Sequence, residues 1–439
     1  MLGQRLRSRF PLLIALLGLA TAVLGYVFGL AHLQAAHAAF LGPSDLYGPR
    51  FIDVIVFGWC FWIGSSIGSF LNVVAWRMPR GESVNGRSYC PRCQTRLQAR
   101  DNFPVFGWLM LGGRCRQCRL PISRRYPIVE LVVGLSLTLI AIGQLYQLSL
   151  PYVTSRYGGG PLWQPIVDRY VLTTLFFHIY AVTISWAFAL IRYDRNRIPA
   201  RLVAWGIMPI ILAMLVFPPL MIVSWRTLGD ADLPSLFGSS LRIDAAIRIV
   251  TGLVAAAIIG RSLARGLCPR ADLKLDPLGK STARLVDVIL IISVPGLIIG
   301  WQSVIALVVA ASILAVLLQR FFLRQTDRLG SFAIAIPISL SVHLFAWWRL
   351  HDSPYWPSDT SQPMVVLAWA AIILLVPLWL KDAPEQPNLS GLAYADSTSD
   401  DDGEVDEDEA EVEAEVEAEV DRADDEEQEG GQRDETATA

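Results

Sequence analysis

The chain has 439 residues, of which 53% are hydrophobic and 18% charged. A mean hydropathy of +0.43 excludes an ordinary soluble globular protein, because apolar runs of about 18 residues or more read as membrane-crossing helices. The net charge of -3 hides two opposed parts: residues 396–439 hold 22 acids against 2 bases, which leaves 35 Lys and Arg against 18 Asp and Glu elsewhere.

In chain order the apolar runs predict spans at 10–32, 51–75, 127–148, 170–191, 202–224, 246–263, 285–300, 302–319, 332–349 and 364–380. The pair 285–300 and 302–319 also reads as one long bent element. The first span has the basic start of a signal peptide, but no small-x-small cleavage site follows its long apolar run, so an uncleaved helix is expected. Arg5, Arg7 and Arg9 put the N-terminus inside by the positive-inside rule. Alternation then makes 76–126, 192–201, 264–284 and 320–331 inside loops, all rich in arginine, while 33–50 and 149–169 are outside loops with few bases. Ten spans return the C-terminus to the cytoplasm. The tail, DDGEVDEDEAEVEAEVEAEV onward, should be disordered by self-repulsion.

Six cysteines are present. Cys60 lies in an apolar run and reads as a small buried hydrophobe; Cys268 lies in a basic loop. The other four, Cys90, Cys93, Cys115 and Cys118, form two Cys-x-x-Cys turns 21 residues apart. Such turns each aim two thiolates at one point and together make a tetrahedral, structural zinc site. A reducing cytoplasmic loop argues against disulfides. Zinc would pin a loop too short to bury a core of its own. The fold class expected is an all-α polytopic membrane protein with about 8–10 transmembrane helices, a small cytoplasmic four-cysteine zinc-binding loop and a disordered acidic C-terminal tail.

The stretch GSFLNVVAWRMPRG (Gly68–Gly81), then CPRC, DNFPVFGWLMLGGRCRQC and PISRRYPIVE, resembles the prepilin peptidases, also called type IV leader peptidases. A looser resemblance keeps its order to about residue 345. It implies five regions: 1–50, an extra N-terminal helix and outside loop; 51–131, the prepilin peptidase N-terminal domain; 132–349, a membrane aspartic peptidase domain; 350–385, an extra C-terminal helix; and 386–439, the acidic tail.

The resemblance further implies an aspartic endopeptidase of the bacterial inner membrane. Such enzymes cleave the leader of type IV prepilins or pseudopilins on the cytoplasmic side, and many methylate the new N-terminus with S-adenosylmethionine. No glycine-rich methyltransferase fingerprint appears, so the cofactor rests on the resemblance alone. Two carboxylates must converge on one water, one ionised and one protonated. Asp194, in RYDRNRIPA, matches the family's first catalytic acid, and Asp272, in ADLKL, matches the second. Pro269 and Ala271 stand where the family has glycines, and Ala200 where it has a further acid. Apart from the resemblance, both aspartates read equally as helix caps or as partners of Arg192, Arg195, Arg270 or Lys274. Asp276 and Asp287 are alternative second acids, Asp287 because a charge within a span is costly and tends to be functional. His178 and His343 read as helix packing.

Three other readings compete. One is a catalytically degraded relative acting in pilus or type II secretion assembly. Another is a transporter, which lacks clear repeats or broken helices with acids at mid-membrane. The third is a zinc-ribbon nucleic-acid binder, discounted because topology already explains the arginines. The partners expected are prepilin-like substrates and membrane lipid, with no nucleic acid.

Overall fold

A computed structural model describes residues 2–37, 41–90, 92–150, 165–220, 240–269, 271, 279–324, 326–358 and 361–381. The acidic tail and the candidate acids Asp272 and Asp276 lie outside the described residues. The fold is all-helical. Helix α1 (Leu2–Leu24) runs through a π-helical turn, Gly25–Gly29, into α2 (Leu30–Ala35). Then follow α3 (Pro43–Arg77), α4 (Phe106–Met110), α5 (Arg125–Leu145), α6 (Arg169–Tyr193), α7 (Ala200–Val216), α8 (Ser240–Leu267), α9 (Lys280–Phe321), α10 (Arg328–His351) and α11 (Pro363–Trp379).

Among the described residues seven helices are long and apolar enough to cross a membrane, and α7 and α11 are shorter apolar helices. The protein is a multi-pass helical membrane protein. Several boundaries differ from the sequence reading, and two of them have a clear local cause. Helix α3 begins at Pro43, inside the expected outside loop, because Pro at its first turn and Asp45, which accepts the Gly42 N–H at 2.9 Å, start a helix there. Helix α7 ends at Val216 rather than 224, where Pro218 turns the chain into a 3-10 segment.

Helix α9 resolves the paired spans. Gly300 has φ 82° and ψ 170°, which breaks the helix into two arms of about 20 residues, or about 30 Å, each. Asp287 near its start accepts the Ile198 N–H, beyond the end of α6. Asp327, six residues past its end, pairs with Arg192 at that same end of α6. Both ends of α9 therefore lie at one face of the bundle, and Gly300 lies at the other. The carbonyl of Ile298, freed by the break, accepts the buried Arg248 Nη2 at 2.8 Å. Counting the two arms separately gives ten apolar segments among the described residues.

Between helices in lipid there is little hydrophobic drive, so small residues that admit close backbone contact hold the packing. Helices α3 and α5 pack in this way. A Cβ on Gly64 would stand 3.0 Å from the Gly134 carbonyl oxygen, and one on Gly68 would stand 3.0 Å from Cα of Glu130. Beside this seam, Val133, Leu137, Ala181, Phe188 and Ile336 are fully or almost fully buried. Among the described residues charges on the far face are paired too: Asp53 accepts from Tyr26 at 2.7 Å, and Arg50 donates to Gln34 at 2.6 Å, tying α3 to the N-terminal helix.

Gly68→Val should therefore overpack the α3–α5 seam and cost about 1–3 kcal/mol. Gly58→Val is the control, since a Cβ there meets nothing within 4 Å. Thermal unfolding of the purified protein in detergent should show a lowered midpoint for the first variant and the parental midpoint for the second.

Candidate functional site

The loop between α3 and α5 is built from two matching turns. Cys90 N–H donates to Thr95 and Cys115 N–H to Leu120, while the Gln94 and Arg119 N–H groups return to the carbonyls of Cys90 and Cys115. The outer rungs repeat as well, Leu97 to Ser88 and Ile122 to Gly113. Gln94 and Arg119, each four residues past the first cysteine of its turn, both sit at positive φ, 56° and 60°. The two turns face each other: Sγ of Cys90 is 3.9 Å from Cys118, and Sγ of Cys93 is 3.9 Å from Cys115. All four sulfurs lie within 4.8 Å of one another. A tetrahedral zinc with Zn–S of about 2.3 Å has sulfurs about 3.8 Å apart, so the four thiols fit that ion. Hydrogen bonds from the Thr95 hydroxyl and backbone pull the Cys93 thiol down to about 6, which favours the thiolate that a metal needs.

Other contacts fasten this loop to the bundle. Asp101 takes both Nε and Nη2 of Arg116, at 3.0 and 2.5 Å, and the guanidinium holds its carboxyl below the usual carboxylate range. Arg116, at the second knuckle, is thus occupied by the DNFPVFG segment. Gly107 is required there, because a Cβ would stand 2.5 Å from the Asp101 carbonyl oxygen. Val105, at a strained φ of 62°, donates its N–H to Glu130 Oε2 of α5 at 2.7 Å. Trp108 Nε1 donates to the Ile122 carbonyl. Arg77 at the end of α3 donates to the carbonyls of Ser83 and Asn85. The motif residues of this segment are thus mostly fasteners.

Asp194 follows the last residue of α6 and lies at the same face as this loop. Its Oδ2 accepts Arg125 Nη2 at 2.6 Å, so its partner comes from the first turn of α5. Burial raises its pKa, and the charges of Arg125 and Arg80 act against that rise. Asp287 is buried, at 3% exposure. Its Oδ1 accepts the Ile198 N–H at 3.3 Å, while Oδ2 has no hydrogen-bond partner among the described residues. Asp327, which sequence reasoning missed, caps α10 by accepting the Gly330 N–H at 2.9 Å and pairs with Arg192 at 3.1 Å. Its signal was an aspartate just before an apolar run. Asp272 and Asp276 lie outside the described residues, and among the described residues the side-chain partner of Asp194 is Arg125. Deeper in the bundle His178 meets Gln144 at 2.6 Å, and the His343 ring lies 5.5 Å from that of Trp356, both packing roles.

Residues 62–143 match the family model of the bacterial peptidase A24 N-terminal domain. This segment is of the prepilin peptidase family. The match contains the Gly64 and Gly68 seam, all four cysteines and Glu130. A type 4 prepilin-like proteins leader peptide-processing enzyme of Escherichia coli is 46% identical over 98 residues, covering 18% of this chain and 36% of that protein. Prepilin leader peptidase/N-methyltransferases of Myxococcus xanthus and Klebsiella pneumoniae are 48% and 42% identical over 90 and 96 residues. Each covers 20% of this chain, and the chain spans 25% and 42% of their lengths. No solved structure matches the chain.

Elemental analysis of the purified protein should find one zinc per chain. Cys115→Ser should lower the zinc content well below one, and limited proteolysis should then cut within residues 78–124, which the intact site protects.

Proposed function

We propose that the chain is a membrane-embedded aspartic endopeptidase that removes the leader of type IV prepilins or pseudopilins at the cytoplasmic face. The observation that carries this reading is the ion pair between Arg125 and Asp194. It joins the first turn after the prepilin-peptidase zinc loop to the acid that matches the family's first catalytic aspartate. The arginine-rich loops 76–126, 192–201 and 320–331 share this face, which the positive-inside rule puts in the cytoplasm.

In this reading Asp194 and Asp272 flank a water at the scissile carbonyl. One carboxylate accepts the water's proton as its oxygen attacks the carbonyl carbon, and the other acid protonates the carbonyl oxygen. Collapse of the diol then breaks the C–N bond as a proton passes to the leaving nitrogen. Four thiolates would hold zinc as a closed structural site, with no position left open for substrate.

The Myxococcus xanthus and Klebsiella pneumoniae relatives are also named N-methyltransferases, and the resemblance implies S-adenosylmethionine as the methyl donor for such an activity here. The cleft in the zinc loop, about 700 Å³, is lined by Arg77, Arg87 and Arg96 against one carboxylate, Glu82. That lining does not suit a cationic sulfonium, so no residues are assigned to hold this cofactor. A second reading, a degraded relative serving pilus or secretion assembly, is favoured by Pro269 and Ala271 before Asp272.

Co-expression with a prepilin-like substrate, with cleavage read by mass, tests the proposal. Wild type should release the leader, and Asp194→Asn and Asp272→Asn should each reduce release by at least about 1,000-fold. Release surviving Asp272→Asn would move the second acid to Asp276 or Asp287. No release by folded, zinc-loaded wild type on several such substrates would favour the degraded reading.

A further inference from the structure

Arg125 touches the candidate active site twice. Its Nη2 bonds Asp194 Oδ2 at 2.6 Å, and its guanidinium carbon lies 5.8 Å from the centre of the neighbouring Tyr193 ring. It is also the first residue of α5, seven positions after the last zinc-ligating cysteine. Arg125 and Asp194 are about one-fifth exposed, at 21% and 22%, so water screens this pair only in part.

Among the described residues, other charged groups near this end of the bundle have contacts of their own. Arg80, in the turn after α3, adds a second positive charge from its place stacked over Trp76 at 3.7 Å. From α9, Asp287 is turned to the Ile198 N–H. From the start of α10, Asp327 is held by Arg192. Among the described residues the charges acting on Asp194 are therefore positive, and one of them is in hydrogen-bond contact.

We propose that Arg125 is a positioning residue that holds Asp194 as the ionised member of the acid pair. Asp194 is then the group that accepts the proton of the attacking water, and its partner acid is the proton donor to the carbonyl oxygen. The inference rests on the peptidase reading for these two roles, while the charge state of Asp194 stands on the ion pair itself. It also gives the zinc loop a part in the chemistry, since the second knuckle leads into the turn that presents Arg125.

The test uses the full chain in detergent with two readouts. The first is the infrared C=O band of the protonated Asp194 carboxyl, identified by its loss in Asp194→Asn and followed against pH. The second is leader cleavage of a prepilin-like peptide over the same range. Arg125→Gln should raise the midpoint of the band by about one pH unit, since an opposite charge within ~4–6 Å lowers a carboxyl pKa by ~1–3 units. The acid limb of the cleavage profile should move up equally, with activity regained at higher pH. Arg125→Lys should recover most of the shift. Arg125→Met, which keeps the apolar stem, serves where the glutamine variant does not fold. A midpoint unmoved in the neutral variants overturns the proposal whatever the activity. A midpoint moved in the neutral variants, with a wild type that cleaves no substrate, supports Arg125's hold on the charge and overturns the peptidase reading with its proton roles.

Discussion

The backbone contact between α3 and α5 is the constraint on which the rest of the molecule depends. Gly64, Gly68 and Gly134 bring the two helices so close that an added methyl would meet its neighbours at 3.0 Å and force them to shift. The end of α3 and the start of α5 are thereby fixed, and those are the two ends from which the zinc loop hangs. A loop of this length has too little apolar surface to fold by burial alone. Four sulfurs close its middle, and the Val105–Glu130 bond fastens its far side to the outer turns of α5. Arg125 can meet Asp194 only because this seam and this loop together set the position of the first turn of α5.

Charge in the bundle is placed by its cost. A carboxylate or guanidinium in hydrocarbon needs a partner, and the pairs concentrate where helices end: Arg125 with Asp194, and Arg192 with Asp327. At the opposite face Asp53 takes a hydroxyl and Arg50 a side-chain amide. Asp287 and Asp53 are each satisfied through one oxygen only among the described residues. In Asp287 that oxygen is bonded to a backbone N–H. Its bond to Ile198 anchors the segment that runs from Asp194 into α7, so it acts on the loop that carries the candidate acid even without touching it.

Much of this was legible in sequence, and what was not has a physical reason. Spans were readable because burial in lipid demands uninterrupted apolar runs. The sequence left 285–319 open between two spans and one bent element, and Gly300 decides it by breaking a 42-residue helix into two arms. The zinc site was readable because thiolate geometry imposes a local spacing. The start of α3 was misread because Arg50 looks like a loop residue until Gln34, 16 residues back in α2, is seen to accept from it. Arg125 as the partner of Asp194 was hidden for the same reason: 69 residues separate them, and the sequence reading searched for partners among the neighbours Arg192 and Arg195. Local rules find helices and turns, whereas tertiary pairing decides which charges are paired.

The residues before Asp272 are where the chain departs most from the pattern it resembles, and their local structure bears on what that departure means. Helix α8 ends at Leu267, with the Cys268 N–H still bonded to Ala264. The Ala271 N–H then returns to the Cys268 carbonyl at 3.0 Å, closing a four-residue turn in which Pro269 is the second residue. Proline is favoured at that position, because its fixed φ is the one the turn requires and its missing N–H is not needed there. Glycines make a turn possible by widening the allowed backbone; a proline here makes one by narrowing it. The bond from Ala271 back to Cys268 is thus compatible with proline at 269, although Pro269 and Ala271 still lack the freedom of the glycines in the pattern. What the exchange removes is the close approach to a neighbouring backbone that a residue without a Cβ permits.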